Sequence, residues 1–202
     1  TLSFDTTNDL KPLKEIVGQK RGVEALRFGM NINKPGYNVF VTGTAGSWRL
    51  STTRKILEEI ATIAERDQLV VFSDEIYDEM LYGNAEHIPM ATLVHDTLCV
   101  TFNGLSKVYR ACGYRVGWIV FSGDRESARE YLHAVELLAS LRLCANVPGQ
   151  WAVQTALGGY QSVLELTSEG GRLFQARQAI INGVKNSKFM SLKEPDGAMY
   201  AF

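Results

Sequence analysis

Leu69-Val70-Val71-Phe72-Ser73-Asp74-Glu75-Ile76-Tyr77 passes abruptly from an apolar run to two carboxylates and a phenol. The same change recurs in Thr97-Leu98-Cys99-Val100-Thr101-Phe102-Asn103-Gly104-Leu105-Ser106-Lys107, which ends on an amine, and Val116-Gly117-Trp118-Ile119-Val120-Phe121 follows directly on Arg115. Short continuous apolar runs bounded by turn-forming residues read as strands, and runs without alternation read as strands buried on both faces. The predicted strands cover about Leu69–Ser73, Thr97–Phe102 and Val116–Phe121. Helices covering both faces are implied, so the fold class is α/β, a mostly parallel sheet flanked by helices.

Working outward, Ile56, Leu57, Ile60, Ile63 and Ala64 mark one face of a helix over Thr53–Arg66. Asp124 opens a helical stretch to about Cys144, Pro148 starts another reaching Leu166, and Arg172–Asn186 reads as a third. Tyr131, Val135, Leu138 and Leu141 form a core or interface stripe. The tail Phe189–Phe202 places a Pro195-Asp196-Gly197 turn between two strand-like pieces. Near the start, Val23, Leu26 and Met30 suggest a short amphipathic helix, and Asn38–Thr42 a strand that runs into Gly43-Thr44-Ala45-Gly46-Ser47.

Hydrophobic residues at 46% and charged residues at 21% over 202 residues disfavour a disordered chain and allow one to two domains. With 21 basic and 22 acidic residues the net charge is -1, so no overall field draws in nucleic acid or an anionic membrane, and neither is expected as a partner. No apolar run approaches a membrane span, and Thr1 suggests that further sequence lies upstream. Cys99, Cys112 and Cys144 are odd in number and widely spaced, which suits a reducing, cytoplasmic setting. Cys112 and Cys144 are expected to be small buried residues. His87, His95 and His133 share no ligand spacing; surface or packing roles are expected, with no metal.

Strand ends followed by polar residues are where open α/β sheets place their chemistry, which singles out Asp74, Glu75, Tyr77 and Lys107, with Arg115 immediately before the third strand. Each has a plain structural reading as well. Asp74 can cap the segment after it, Tyr77 can pack with its hydroxyl satisfied, and Lys107 can be a solvated charge or an amine used for covalent work.

Together, Asp-Glu-Ile-Tyr at 74–77, Asn-Gly-Leu-Ser-Lys at 103–107 and Gly-Tyr-Arg-Val-Gly-Trp at 113–118 resemble the pyridoxal-phosphate aminotransferases of fold type I. The resemblance runs from about Ile60 to Phe202. Ser140–Pro148 and Ala156–Ser162 resemble the alanine-type transaminases within that family. It implies a partial large domain over 53–202, pyridoxal 5'-phosphate as cofactor, and amino-group transfer between an amino acid and a 2-oxo acid. Lys107 would form the Schiff base and carry protons, Asp74 would pair with the pyridinium nitrogen, Tyr77 would bond the ring 3-oxygen and Arg115 would hold the phosphate. Gly104 occupies a position where many relatives have a phosphate-binding serine. A homodimer is implied as well. The family's glycine-rich loop, its stacked aromatic ring and its substrate-binding arginine have no counterpart here, so reduced or absent turnover is the expectation.

The opening segment reads differently. Ile16-Val17-Gly18-Gln19-Lys20-Arg21 and Pro35–Gly43 resemble the start of the ATPase domain of Lon-like ATP-dependent proteases, within a first unit spanning 1–52. It continues into Gly43–Ser51, where Trp48 and Arg49 replace the Gly-Lys of a working phosphate loop and Leu50 offers no magnesium ligand. Two further readings follow. In an ATPase-like fragment, Asp74 would sit near magnesium and Glu75 would orient water, which leaves Lys107 and Arg115 unexplained. In a chimera joined between Arg49 and Ile60, the chain would fold without catalytic activity.

Overall fold

The computed structural model describes residues 50–201 together with Glu24 and Phe28, with the backbone alone for 50–53. Of the helix expected before Met30, Glu24 and Phe28 are described and both are helical; the strand Asn38–Thr42, the glycine loop and the Lon-like segment lie outside the described residues.

Helix α1 (Leu50–Arg66) carries Arg66 in its last turn, where a cation complements the helix dipole. It stops at Gln68, whose φ of 52° leaves the helical region and whose amide donates back to Glu65 O at 2.8 Å. Strand β1 (Val71–Asp74) follows. After the 3-10 turn Met90–Thr92 come β2 (Leu98–Gly104) and β3 (Gly117–Gly123). The sheet order is β1-β2-β3. β1 runs parallel to β2, with Val71 opposite Cys99 and Asp74 opposite Phe102. β3 runs antiparallel to β2, with Gly104 opposite Gly117. The α/β class holds, with one parallel and one antiparallel pairing among the described strands.

Only the central strand is buried as the sequence implied. Leu98, Cys99 and Val100 are inaccessible, whereas Phe72 in β1 and Ile119 and Val120 in β3 are exposed. Cys99 joins Ala61, Met90 and Val94 in one core cluster, against which Leu57, Ile60 and Val71 pack. A second cluster, Met80, Val108 and Val163, sits beneath Tyr77, Tyr109 and Leu173.

Helices α2 (Arg129–Arg142), α3 (Val147–Gly158), α4 (Ser162–Thr167) and α5 (Arg172–Lys185) complete the described chain. α2 begins later than Asp124 because that carboxylate first accepts from the amides of Glu126 at 3.1 Å and Ser127 at 3.2 Å, closing a turn. The single helix expected from Pro148 to Leu166 is two. Its break falls at Gly159, where a Cβ would lie 2.4 Å from Thr155 O, and the Gln161 amide caps the freed end by donating to Ala156 O at 2.9 Å. No residue of α2 is buried, so its apolar stripe is not core. The tail forms no strands among the described residues; an isolated bridge joins Leu81 to Gly197. Cys112 and Cys144 are exposed, contrary to the expectation, and Cys99 is the buried thiol. Cys112 opens the 3-10 turn Cys112–Tyr114 and Cys144 lies in the link between α2 and α3, so small size does not bury them.

Candidate functional site

Parallel pairing brings the carboxyl ends of β1 and β2 to the same edge, with Asp74 beside Phe102. Glu75 N donates to Phe102 O at 2.9 Å, which carries the pairing one residue further before the chain turns. Asp74 Oδ1 accepts from Ile76 N at 3.2 Å, and this cap aims the chain into the turn that presents Tyr77. β2 continues into Gly104, Leu105 and Ser106, and Leu105 N donates to Val116 O at 3.0 Å. Lys107 N–terminal neighbours are thus tied to β3, and Arg110 N closes a turn onto Lys107 O at 3.0 Å.

From that turn Lys107 Nζ reaches over the Tyr77 ring, 6.0 Å from its centroid. This distance sits at the outer limit of a cation–π contact. Burial, then the hydroxyl of Tyr200, then the Asp74 charge push the Tyr77 phenol up to about 12, so it holds its proton at neutral pH. Asp74, Tyr77 and Lys107 therefore share one neighbourhood. Arg115 adopts a left-handed φ of 53°. Its Nη1 donates to Cys112 O at 2.9 Å and lies 3.4 Å from Ser106 Oγ. A guanidinium is thereby placed beside the residue that precedes Lys107.

Gly104 has a backbone reason for its identity. A Cβ there would sit 2.7 Å from Val116 O and 2.9 Å from the Gly117 Cα, and one on Gly117 would meet Asn103 O at 2.8 Å. The pair of glycines lets two backbones approach where β2 and β3 meet. Asn103 fastens the same corner: its amide donates to Asp78 Oδ2 at 2.7 Å, and its oxygen accepts from Gly104 N at 2.7 Å.

Two features behind the site escaped the sequence reading. The Glu75 side chain is buried, and one carboxylate oxygen accepts from Ser73 Oγ at 3.0 Å and Met90 N at 3.0 Å. The other meets His87 Nε2 at 2.8 Å. Burial raises its affinity for a proton, but His87, the Met90 amide and Ser73 together outweigh burial and lower the pKa overall. The same contact, partly opposed by burial, raises that of His87. Glu75 thus ties the loop before the 3-10 turn to the end of β1, a structural role rather than a water-orienting one. The pairing spans twelve residues of loop, so no local spacing announced it.

The second feature is Tyr200, whose hydroxyl lies 3.0 Å from that of Tyr77, with the rings edge to face at 80° and 5.7 Å apart. Its placement comes from the tail. Ala198 N donates to Met80 O at 2.8 Å and Tyr82 N to Asp196 O at 2.9 Å. Arg177 of α5 donates to Pro195 O at 2.5 Å and stacks on the Tyr82 ring at 5.4 Å. The Pro195-Asp196-Gly197 turn was visible in the sequence; its landing beside Tyr77 was not.

An amine, a phenol and a carboxylate gather at the carboxyl edge of an α/β sheet, with a guanidinium close by. The chain matches the family described as aminotransferase class I and II over residues 50–202, and it belongs to that family.

It is 48% identical over 150 residues to the glutamate-pyruvate aminotransferase AlaA of Escherichia coli (strain K12), covering 74% of this chain and 37% of that protein. It is 45% identical over 148 residues to an alanine aminotransferase of Mycobacterium bovis, covering 73% and 34%. A solved aminotransferase from Escherichia coli superposes with a TM-score of 0.69 at 48% identity, over 72% of this chain and 36% of that one. The chain spans about a third of the length of these relatives.

Proposed function

We propose that the chain is the cofactor-binding part of an enzyme that transfers an amino group between an amino acid of the alanine type and a 2-oxo acid, with pyridoxal 5'-phosphate as cofactor and with reduced or absent turnover in this chain by itself. The names of its relatives, glutamate-pyruvate and alanine aminotransferase, support the substrate class. The observation that carries the reading is Lys107 Nζ held over Tyr77 at the edge where Asp74 ends β1.

The donor set suits such a ring. When bound, the cofactor supplies an electron sink for the pair left at the substrate carbon. Lys107 would supply the nucleophilic amine that holds the group and would be placed to carry a proton at the substrate carbon. The Asp74 carboxylate would favour a proton on the ring nitrogen through charge attraction. Tyr77 keeps its own proton at neutral pH and can donate it to an anionic ring oxygen. Arg115 offers paired donors to a phosphate dianion, a geometry that an ammonium lacks.

A homodimer in the cytoplasm belongs to the same proposal, as does a junction between Arg49 and Ile60 with an ATPase-like segment; the aminotransferase family match covers residues 50–202. No helix among the described residues is long and apolar enough to cross a membrane.

Borohydride reduction of the pyridoxal-phosphate-treated protein, followed by peptide mapping, tests cofactor capture. The label is expected on Lys107; a label elsewhere, or none, overturns the reading. Turnover of alanine with 2-oxoglutarate is measured separately on the same preparation.

A further inference from the structure

The Tyr77 hydroxyl has a partner that the proposed chemistry does not use. Tyr200 Oη lies 3.0 Å away, and either phenol can donate. Its ring meets that of Tyr77 edge to face, and the segment just before Tyr200 is fastened by Ala198 N donating to Met80 O and Asp196 O accepting from Tyr82 N. The titratable and charged groups that act on Tyr77 come from three places: Tyr200 from the tail, Asp74 from the end of β1 and Lys107 from the turn after β2. Of these, Tyr200 is the one in hydrogen-bond contact.

A phenol hydroxyl carries one proton and can also accept, and its proton can lie in the ring plane on either side of the C–O bond. Two coupled phenols therefore form a directional chain, reversed by rotating both protons. We propose that Tyr200 is a positioning residue that sets which way the Tyr77 proton points. With no anion in the crevice, Tyr77 donates to Tyr200. When an anionic ring oxygen is present, Tyr77 donates to that oxygen and Tyr200 turns its own proton onto Tyr77 Oη. Donation from Tyr200 polarises the Tyr77 O–H and strengthens it as a donor, since hydrogen bonds in series reinforce one another. The inference rests on the proposed function for the identity of the anion, and on the observed pair of hydroxyls for the rest.

Tyr200→Phe removes the hydroxyl while retaining the ring contact. Two midpoints are read. In the cofactor-free protein, ultraviolet difference titration against Tyr77→Phe isolates the Tyr77 phenol, and its midpoint is expected to fall by about one pH unit, the size of one lost hydrogen bond. In the pyridoxal-phosphate-treated protein, the pH midpoint of the visible absorption is expected to rise, because a weaker donor stabilises the ring oxyanion less. In a Tyr77→Phe background, Tyr200→Phe should move the visible midpoint no further, as a coupled pair requires. Unchanged midpoints in Tyr200→Phe, or an equal visible shift with and without Tyr77, would overturn the proposal. If borohydride fixes no cofactor on Lys107, the proposed function fails, and the cofactor-free titration decides the role of Tyr200 by itself.

Discussion

Strand β2 and helix α2 are both rich in large apolar side chains, yet they meet opposite fates. Leu98, Cys99 and Val100 of β2 are shut away from water, whereas Leu137, Leu138 and Leu141 of α2 are exposed, Leu141 at 80%. The difference is one of neighbours. β2 is paired on both edges, and the α1 residues Leu57 and Ile60 pack on the cluster that holds Cys99. No residue of α2 is buried. The proposed chemistry sits at the end of the buried element, where a side chain such as Lys107 can be held in one place. Apolar content alone did not distinguish the two regions; position in the sheet did.

The contrast can be broken most severely at Lys107. Lys107→Ala should abolish the borohydride-fixed label while leaving the thermal midpoint near that of the parent, since the side chain's principal contact is a distant ring. Persistence of label on the same peptide would remove the β2 end from the chemistry.

Next in size is Glu75, the buried carboxylate with three partners. Glu75→Ala should cost about 3 kcal/mol, as expected when a buried hydrogen-bonded charge network loses its centre, read from the urea midpoint. A loss within experimental error would mean that the end of β1 is held by something else.

Gly104→Ser places a side chain against Val116 O and the Gly117 Cα. Because the obstacle is backbone, the strand pair must shift, and a destabilisation of about 2 kcal/mol is expected, typical of overpacking. A serine accepted there without loss, and with stronger pyridoxal-phosphate retention, would show that the corner can open to make the phosphate contact.

The Glu75–His87 pair also predicts a pH profile. The pKa of His87 is raised above 6.5 by Glu75, so its contribution is complete below 6.5 and is lost as pH rises through the raised value. That of Glu75 is lowered below 4.5, so its contribution is complete above 4.5 and is lost as pH falls through the lowered value. The pair should therefore stabilise most between pH 4.5 and 6.5. His87→Gln should flatten the alkaline limb in thermal melts across pH; an unaltered limb would assign it to other groups.

The smallest effect belongs to the exposed helix. Leu138→Ala, at a site 67% exposed, should change stability by no more than about 0.5 kcal/mol. A loss several times larger in the urea midpoint, growing with protein concentration, would instead reveal a covering partner and support the proposed homodimer.

Much of the molecule was legible along the chain. Apolar runs located β1, β2 and β3 to within about two residues, and the apolar face of α1 and the span of α5 followed from helical patterning, because these signals depend on residues close in sequence. The order strand, acid, phenol and strand, glycine, amine marked the candidate site for the same reason. Where reading failed, the deciding contact was distant. The antiparallel sense of β3, the exposure of α2, the burial of Glu75 against His87 and the arrival of Tyr200 at Tyr77 all depend on segments that local patterns do not relate. The break at Gly158-Gly159 was a local signal that went unread.

By itself, then, the sequence determined which residues could do chemistry and which short stretches would be strand or helix, since side-chain type and local periodicity are properties of neighbouring residues. Only the tertiary structure decided that Lys107 lies over Tyr77, that Tyr200 completes a pair of phenols and that Glu75 is buried rather than reactive. Such placements arise from packing between segments far apart in the chain, where burial and hydrogen-bond satisfaction are settled jointly and not residue by residue.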